Sequence, residues 1–189
     1  MIPMTPLCEL AVRYGSDKAP QLRAYPVTPE MALPSHAYTP YYHELFKGFR
    51  VERMLEIGIY EGASLRMWRD YFPEADIYGL DNQVEFLIND GKIKSLYCDA
   101  GDPDSIQKTM ARIGAGLNLI IDDGSHKPAD QITAANALVP YLAPGGIYVI
   151  EDVGHPDIVI PELEYSCELK EFHVNEMKHD DDRLVVIRR

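Results

Sequence analysis

One run of the sequence gathers chemistry-bearing side chains at the end of an apolar stretch: Leu119-Ile120-Ile121, then Asp122-Asp123-Gly124-Ser125-His126. The apolar part suits a buried strand. At its exit stand two carboxylates, a glycine that lets the chain turn, and an imidazole. A second run, Ile147-Tyr148-Val149-Ile150, ends in Glu151-Asp152. As neighbouring parallel strands, the two would bring Asp122, Asp123, Glu151, Asp152 and His126 to one sheet edge. Those acids are hard oxygen ligands suited to Mg2+ or a similar cation, which keeps several waters and takes only a few carboxylates. His126, with an ordinary pKa of about 6.5, suits proton abstraction near neutrality. The competing readings are solvated acidic loops and a capping histidine. An iron centre of Asp123, His126 and His155 is disfavoured, because Glu151 and Asp152 would then be surplus negative charge.

A second group of residues points to a nucleotide-like ligand. Glu56-x-Gly58-x-x-x-Gly62 lies between an apolar run and a helical pattern, where glycines permit a tight turn and close approach of a ligand to backbone N–H groups. The spacing differs from G-x-G-x-x-G, and Tyr60 stands where a middle glycine is expected. Asp81 closes the next strand, placed to accept both hydroxyls of a ribose. Asp99 closes the third, placed to accept from an adenine amino group. Each alone is more often a helix cap or a solvated turn; together with the glycines, in this order on successive strand ends, they favour an adenosine-type pocket.

Strands alternating with helices must hold these residues. From Val51 the pattern gives strands at Met54–Ile57, Ile77–Asp81, Ile93–Cys98, Leu119–Asp122 and Ile147–Ile150, with helices between, including a short one over Val84–Ile88. Such alternation is the mark of a parallel sheet covered on both faces. The chain then breaks rhythm with an irregular stretch after Asp152 and two strand-like runs, Leu169–Val174 and Leu184–Ile187, joined by a charged turn at Lys178–Asp182 and expected to pair antiparallel. Before Val51, Thr5-Pro6 and Thr39-Pro40 are helix starts, separated by a proline-rich loop over Ala19–Ser35. Residues 1–50 thus read as a helical cap and flap on a core of 51–189, one compact domain overall. His36, Tyr38 and Tyr42 either close over a ligand or pack the cap onto the sheet.

The bulk properties bound the partners. With 189 residues the chain has room for about one domain. A formal charge of −12 disfavours a nucleic-acid backbone or an anionic membrane surface. Small molecules and cations fit better. Cys8, Cys98 and Cys167 are widely spaced in apolar segments and read as reduced core residues. No apolar run is long enough to span a bilayer, and no signal peptide is evident, so a soluble, cytoplasmic protein is expected.

The motif Met54-Leu55-Glu56-Ile57-Gly58-Ile59-Tyr60-Glu61-Gly62-Ala63-Ser64-Leu65, the Ile120–His126 run and Tyr148–Asp152, together with Gly15-Ser16-Asp17-Lys18 and His36-x-Tyr38, resemble the metal-dependent sugar O-methyltransferases of macrolide antibiotic biosynthesis. The resemblance implies a Rossmann-like class I methyltransferase fold, a seven-stranded mostly parallel sheet with an antiparallel last strand and helices on both faces. It implies S-adenosyl-L-methionine and Mg2+ as cofactors, and a sugar hydroxyl of a glycosylated small molecule as methyl acceptor. It matches Asp123, Glu151 and Asp152 to the metal ligands and His126, beside Asp123, to the catalytic centre as general base. The cofactor would be bound by Glu56, Gly58, Tyr60, Gly62 and Ser64, with Asp81 at the ribose, Asp99 near the adenine and Asp122 beside them. Assembly as a homo-oligomer is compatible with the resemblance. The alternatives are a methyltransferase-like module that binds the cofactor without transfer, and an NAD-dependent oxidoreductase.

Overall fold

The computed structural model describes residues 4–20, 36–172 and 181–189. α1 (Pro6–Tyr14) starts at Thr5, whose hydroxyl accepts from the Cys8 N–H, and stops at Gly15 in the left-handed region. α2 spans Thr39–Leu45. The alternating part runs β1 (Arg53–Ile57), α3 (Ala63–Tyr71), β2 (Asp76–Asp81), β3 (Asn89–Asp90), β4 (Ile93–Tyr97), α4 (Pro103–Ile113), β5 (Leu117–Asp122), α5 (Pro128–Leu138), β6 (Leu142–Ile150), α6 (Pro156–Val159), β7 (Cys167–Glu171) and β8 (Arg183–Arg188). No helix among the described residues is long and apolar enough to cross a membrane.

The strands form one sheet in the order β3-β4-β2-β1-β5-β6-β8-β7. β4, β2, β1, β5 and β6 are parallel neighbours. β8 runs antiparallel between β6 and β7, as expected for the last strand. The sheet has eight strands rather than seven, because the two-residue β3 adds an antiparallel edge to β4. The helix expected over Val84–Ile88 is only a 3-10 turn, Val84–Phe86. It buries no residue, so nothing offsets the cost of nucleating a longer helix. β7 lies two residues earlier than expected. Most of the Ala19–Ser35 loop and of the Lys178–Asp182 turn falls outside the described residues, and the irregular stretch after Asp152 contains the short α6.

Alternation along the strands divides the apolar residues between the two faces. Leu119, Ile121, Ile147 and Val149 pack with Trp68 and Leu65 of α3 and with Leu7, Tyr38, Tyr42 and Phe46 from the N-terminal part. Ile120, Tyr148 and Ile150 pack against Ile106 and Met110 of α4 and Leu138 of α5. Residues before Val51 therefore share one apolar cluster with the sheet. Cys8 and Cys98 are buried free thiols, and Cys167 is a half-buried one. For function the important detail is register. Ile57 pairs with Asp122, and Asp122 with Ile150. Gly58, Asp123 and Glu151 consequently leave the sheet side by side.

Candidate active site

The strand exits are stitched by backbone hydrogen bonds: Gly58 N–H donates to the Leu80 carbonyl (2.8 Å), Asp123 N–H to Ile57 (3.0 Å) and Glu151 N–H to Asp122 (2.9 Å). Gly58 sits at φ +87°, and a Cβ there would lie 1.9 Å from the Asp123 carbonyl oxygen. Only glycine lets the β1 exit pass so close to that of β5. Among the described residues, the non-glycine residues with positive φ are Ala37, Tyr60, His126 and Asp152. Each costs of order 1 kcal/mol of backbone strain, and such residues persist where surrounding structure over-determines them. Three of them were singled out by sequence as site residues.

The acids and His126 come together as the strand register requires. His126 Nε2 lies 3.9 Å from Asp123 Oδ1 and 3.9 Å from Asp152 Oδ2. One ligand atom from each of these three residues falls within 4.8 Å of the others. The second oxygen of each aspartate is engaged elsewhere. Asp123 Oδ2 accepts from the Lys18 ammonium. Asp152 Oδ1 accepts from the Tyr38 hydroxyl at 2.6 Å and lies 3.3 Å from His36 Nδ1. Each aspartate thus presents one unengaged oxygen toward His126. Glu151, expected as a third ligand, is held apart from this trio. Its Oε2 accepts from Lys18 (2.6 Å) and its Oε1 from the Tyr42 hydroxyl (2.6 Å), all three side chains being buried.

Lys18 was left without a role by sequence reasoning, and Tyr38 and Tyr42 were weighed only as closing over a ligand or packing the cap; all three bond to the acids of the site. The signal was present in the Gly15-Ser16-Asp17-Lys18 and His36-x-Tyr38 motifs, but what these residues touch depends on folding α1 and α2 over the sheet edge. Lys18 is fully buried and also lies 3.9 Å from Glu56 Oε1. Burial alone would lower its pKa; Asp123, Glu151 and Glu56 reverse that and raise it well above the ordinary value, so the ammonium stays charged. Burial pushes Glu151 well up, opposed by Lys18 and reinforced by the charges of Asp123 and Asp152. Burial also raises Asp152, with Asp123 adding to the effect. Two aspartates, each with one oxygen turned to a common point, fit a divalent cation.

Next to this cluster is a cavity of ≈ 540 Å3, within the range of ligand sites. Gly58, Tyr60, Ser64, Asp81, Asp99, Asp122, Asp123 and His126 all line it. Asp81 Oδ2 accepts from the N–H groups of Ile59 (2.8 Å) and Tyr60 (3.3 Å), and Oδ1 from that of Gln83 (2.9 Å). It therefore shapes the β1 exit as well as facing the cavity. Tyr60, 68% exposed, meets Phe86 edge to face at the rim. Asp99 Oδ1 accepts from the Gly101 N–H. Asp122 accepts from the Tyr148 hydroxyl at 2.9 Å, and burial pushes its pKa up to about 7. Glu56 and Gly62, expected at the cofactor, do not line the cavity. Glu56 is fully buried behind it, accepting from Ser64 Oγ (2.8 Å) and Trp68 Nε1 (3.2 Å). A Cβ on Gly62 would meet Ile88, so this glycine packs the wall. His155, the remaining member of the disfavoured iron set, is absent from the trio.

Comparison with known proteins agrees with this arrangement. No protein-family model matches the chain. It is 38% identical over 127 residues to the mycinamicin VI 2''-O-methyltransferase of Micromonospora griseorubida, covering 62% of this chain and 32% of that protein. It is 35% identical over 156 residues to the 8-demethyl-8-alpha-L-rhamnosyl tetracenomycin-C 2'-O-methyltransferase of Streptomyces olivaceus, covering 78% and 37%. Among solved structures it resembles the MycE methyltransferase of the mycinamycin biosynthetic pathway in complex with Mg and SAH, with a TM-score of 0.66 and 32% identity over 83% of this chain and 39% of that one. The chain spans about a third of the length of the curated relatives it matches. Its fold is that of the class I methyltransferases, and its sequence is similar to the sugar O-methyltransferases of antibiotic pathways.

Proposed function

We propose that the chain transfers a methyl group from S-adenosyl-L-methionine to a sugar hydroxyl of a glycosylated small molecule, with the help of Mg2+ or a similar divalent cation. The observation that carries this reading is His126 Nε2, 3.9 Å from the one unengaged oxygen of each of Asp123 and Asp152, beside a cavity floored by the β1, β2 and β5 exits. The names of the relatives, which specify sugar 2'- and 2''-O-methylation, and the Mg and SAH of the similar structure support it.

Asp123 Oδ1 and Asp152 Oδ2 would hold the cation, while Glu151 serves as the counter-ion of Lys18. Sugar hydroxyls are very weak acids, and a bound cation lowers their pKa and fixes their direction. His126 would take the hydroxyl proton, and the cofactor would supply the methyl group that the oxygen accepts. With 40% of its side chain exposed, it can pass that proton to solvent. The Gly58–Tyr60 backbone, Ser64, Asp81, Asp99 and Asp122, which line the cavity, would surround the cofactor, with Glu56 and Gly62 in the wall behind it.

The test pairs binding with turnover. Calorimetry should show SAH binding, and transfer to rhamnosyl glycosides should require a divalent ion. His126→Gln should lower turnover by roughly 100-fold or more, the usual scale of general-base loss, with SAH affinity unchanged. Undiminished turnover in that variant, or in excess chelator, would remove the assigned roles.

A further inference from the structure

The sheet ends in two edge strands, β3 and β7. β3 is two residues long, too short to template another strand. β7 is five residues long and, among the described residues, pairs only with β8. Its outward-facing groups can be assigned. Phe172 N–H donates to the Asp182 carbonyl at 2.9 Å, continuing the β7–β8 ladder, and Lys170 and Glu168, two and four residues earlier, share that orientation. The N–H and C=O groups of Cys167, Leu169 and Glu171 therefore point away from β8. Leu169 is also among the few large apolar side chains of the described residues that are exposed.

We propose that β7 is a docking edge for a second copy of this chain: two β7 strands pair antiparallel about Leu169 and join two sheets into one. The order of charges carries the assignment. In an antiparallel pair of identical strands, each residue faces the one equally far on the other side of the axis. With the axis at Leu169, the run Cys167-Glu168-Leu169-Lys170-Glu171 sets Glu168 of each copy opposite Lys170 of the other. Both pairs fall at non-hydrogen-bonded positions, where facing side chains approach most closely. Leu169 meets its own copy in a hydrogen-bonded pair, which covers its exposed side chain. Sliding the strands by two residues in either direction moves the axis to Glu168 or Lys170 and sets like charges face to face. A lysine on an edge strand ordinarily discourages pairing; here an acid two residues earlier makes it match one register. Glu168 and Lys170 bond to each other within the strand and both reach solvent, so neither leaves a buried partner to form the cross-pair. The inference stands apart from the methyl-transfer reading, because β6 and β8 separate β7 from β5.

The experiment is sedimentation equilibrium on the full chain at low salt, with hydrogen exchange as a second readout. The wild type should form a reversible dimer, and the Leu169 amide should become protected as concentration rises. Lys170→Glu or Glu168→Lys alone sets like charges opposite and should weaken dimerisation by about tenfold or more, the scale of two such pairs changing sign. Combining Glu168→Lys with Lys170→Glu restores the match and should recover the wild-type affinity. Leu169→Pro removes an outward donor and no β7–β8 bond, so it should give a monomer with an unchanged circular dichroism spectrum. A wild type that stays monomeric up to about 1 mM would overturn the proposal. So would equal dimerisation of the wild type and both single variants, or a double variant no tighter than either. A Leu169 amide protected equally at all concentrations would mean that the chain covers this edge itself, and would overturn it too.

Discussion

Lys18→Met tests the electrostatic account of the site most directly, because the substitution keeps the apolar stem and removes the charge. Lys18 Nζ lies 2.6 Å from Glu151 and 3.9 Å from Glu56, and also bonds to Asp123. At an effective dielectric of about 20, Coulomb attraction to fully ionised Glu151 and Glu56 would be roughly 6 and 4 kcal/mol respectively, an upper bound because burial raises both carboxyls. Against this stands the several kcal/mol needed to strip water from a buried ammonium, so the loss on removing one partner of such a network is about 3–5 kcal/mol. That is a large fraction of the 5–15 kcal/mol that holds a domain together. Urea denaturation at neutral pH in chelator should therefore show a midpoint lowered by that loss divided by the slope, with the slope unchanged. Adding Glu151→Gln to Lys18→Met should restore part of the loss, because it removes one of the carboxylates left uncompensated. A single-variant loss below about 1 kcal/mol, the scale of a surface pair, or strict additivity in the double variant, would refute the idea that these groups form one charged unit.

Tyr42→Phe removes the donor to a buried carboxylate and should cost about 1.5–3 kcal/mol by the same assay, the range for hydrogen bonds to charged groups. Gly58→Ala should be more damaging, about 3 kcal/mol or more from overpacking and left-handed strain together, and should abolish SAH binding in calorimetry. His126→Gly should be more stable than His126→Ala by about 1 kcal/mol, because position 126 has φ +57°. Burial pushes Glu56 from 4.5 up to about 7, against the pull of Lys18, Ser64 and Trp68. The native state then binds more protons than the unfolded chain between those values, so stability should fall as pH rises through that window. Glu56→Gln should flatten this part of the pH–stability curve of the metal-free protein.

Much of the site was readable along the chain because its acids sit at strand exits. An apolar run ending in Asp122-Asp123 and another ending in Glu151-Asp152 can meet in only a few ways once both strands are parallel, and β5–β6 pairing is the simplest of them. Gly58 was legible for the same reason, as the glycine of a strand-to-helix turn. What could not be read was which oxygen faces which partner. The division of labour between Glu151, turned to Lys18 and Tyr42, and Asp152, turned to His126 and Tyr38, depends on Lys18, Tyr38 and Tyr42, each more than a hundred residues away. For Glu56 the motif position gives only its place near the end of β1, before the glycine loop. Its side chain points behind that loop, to Ser64 and Trp68.

The amino-acid sequence by itself determined the alternation of strands and helices, the antiparallel last strand and the identity of the acids and imidazole at the sheet edge. These follow from local periodicity, turn chemistry and the chain order of the motifs. Only the tertiary structure decided that the N-terminal segment supplies the cation and hydroxyls that orient those acids. Lys18 must reach across three strand exits, and Tyr38 and Tyr42 must be packed onto the sheet by apolar contacts with Trp68 and Phe172. Such long-range contacts leave no periodic trace in the chain. They appear when burial forces each charged group to find a partner, and the partners available here are Lys18, Tyr38 and Tyr42.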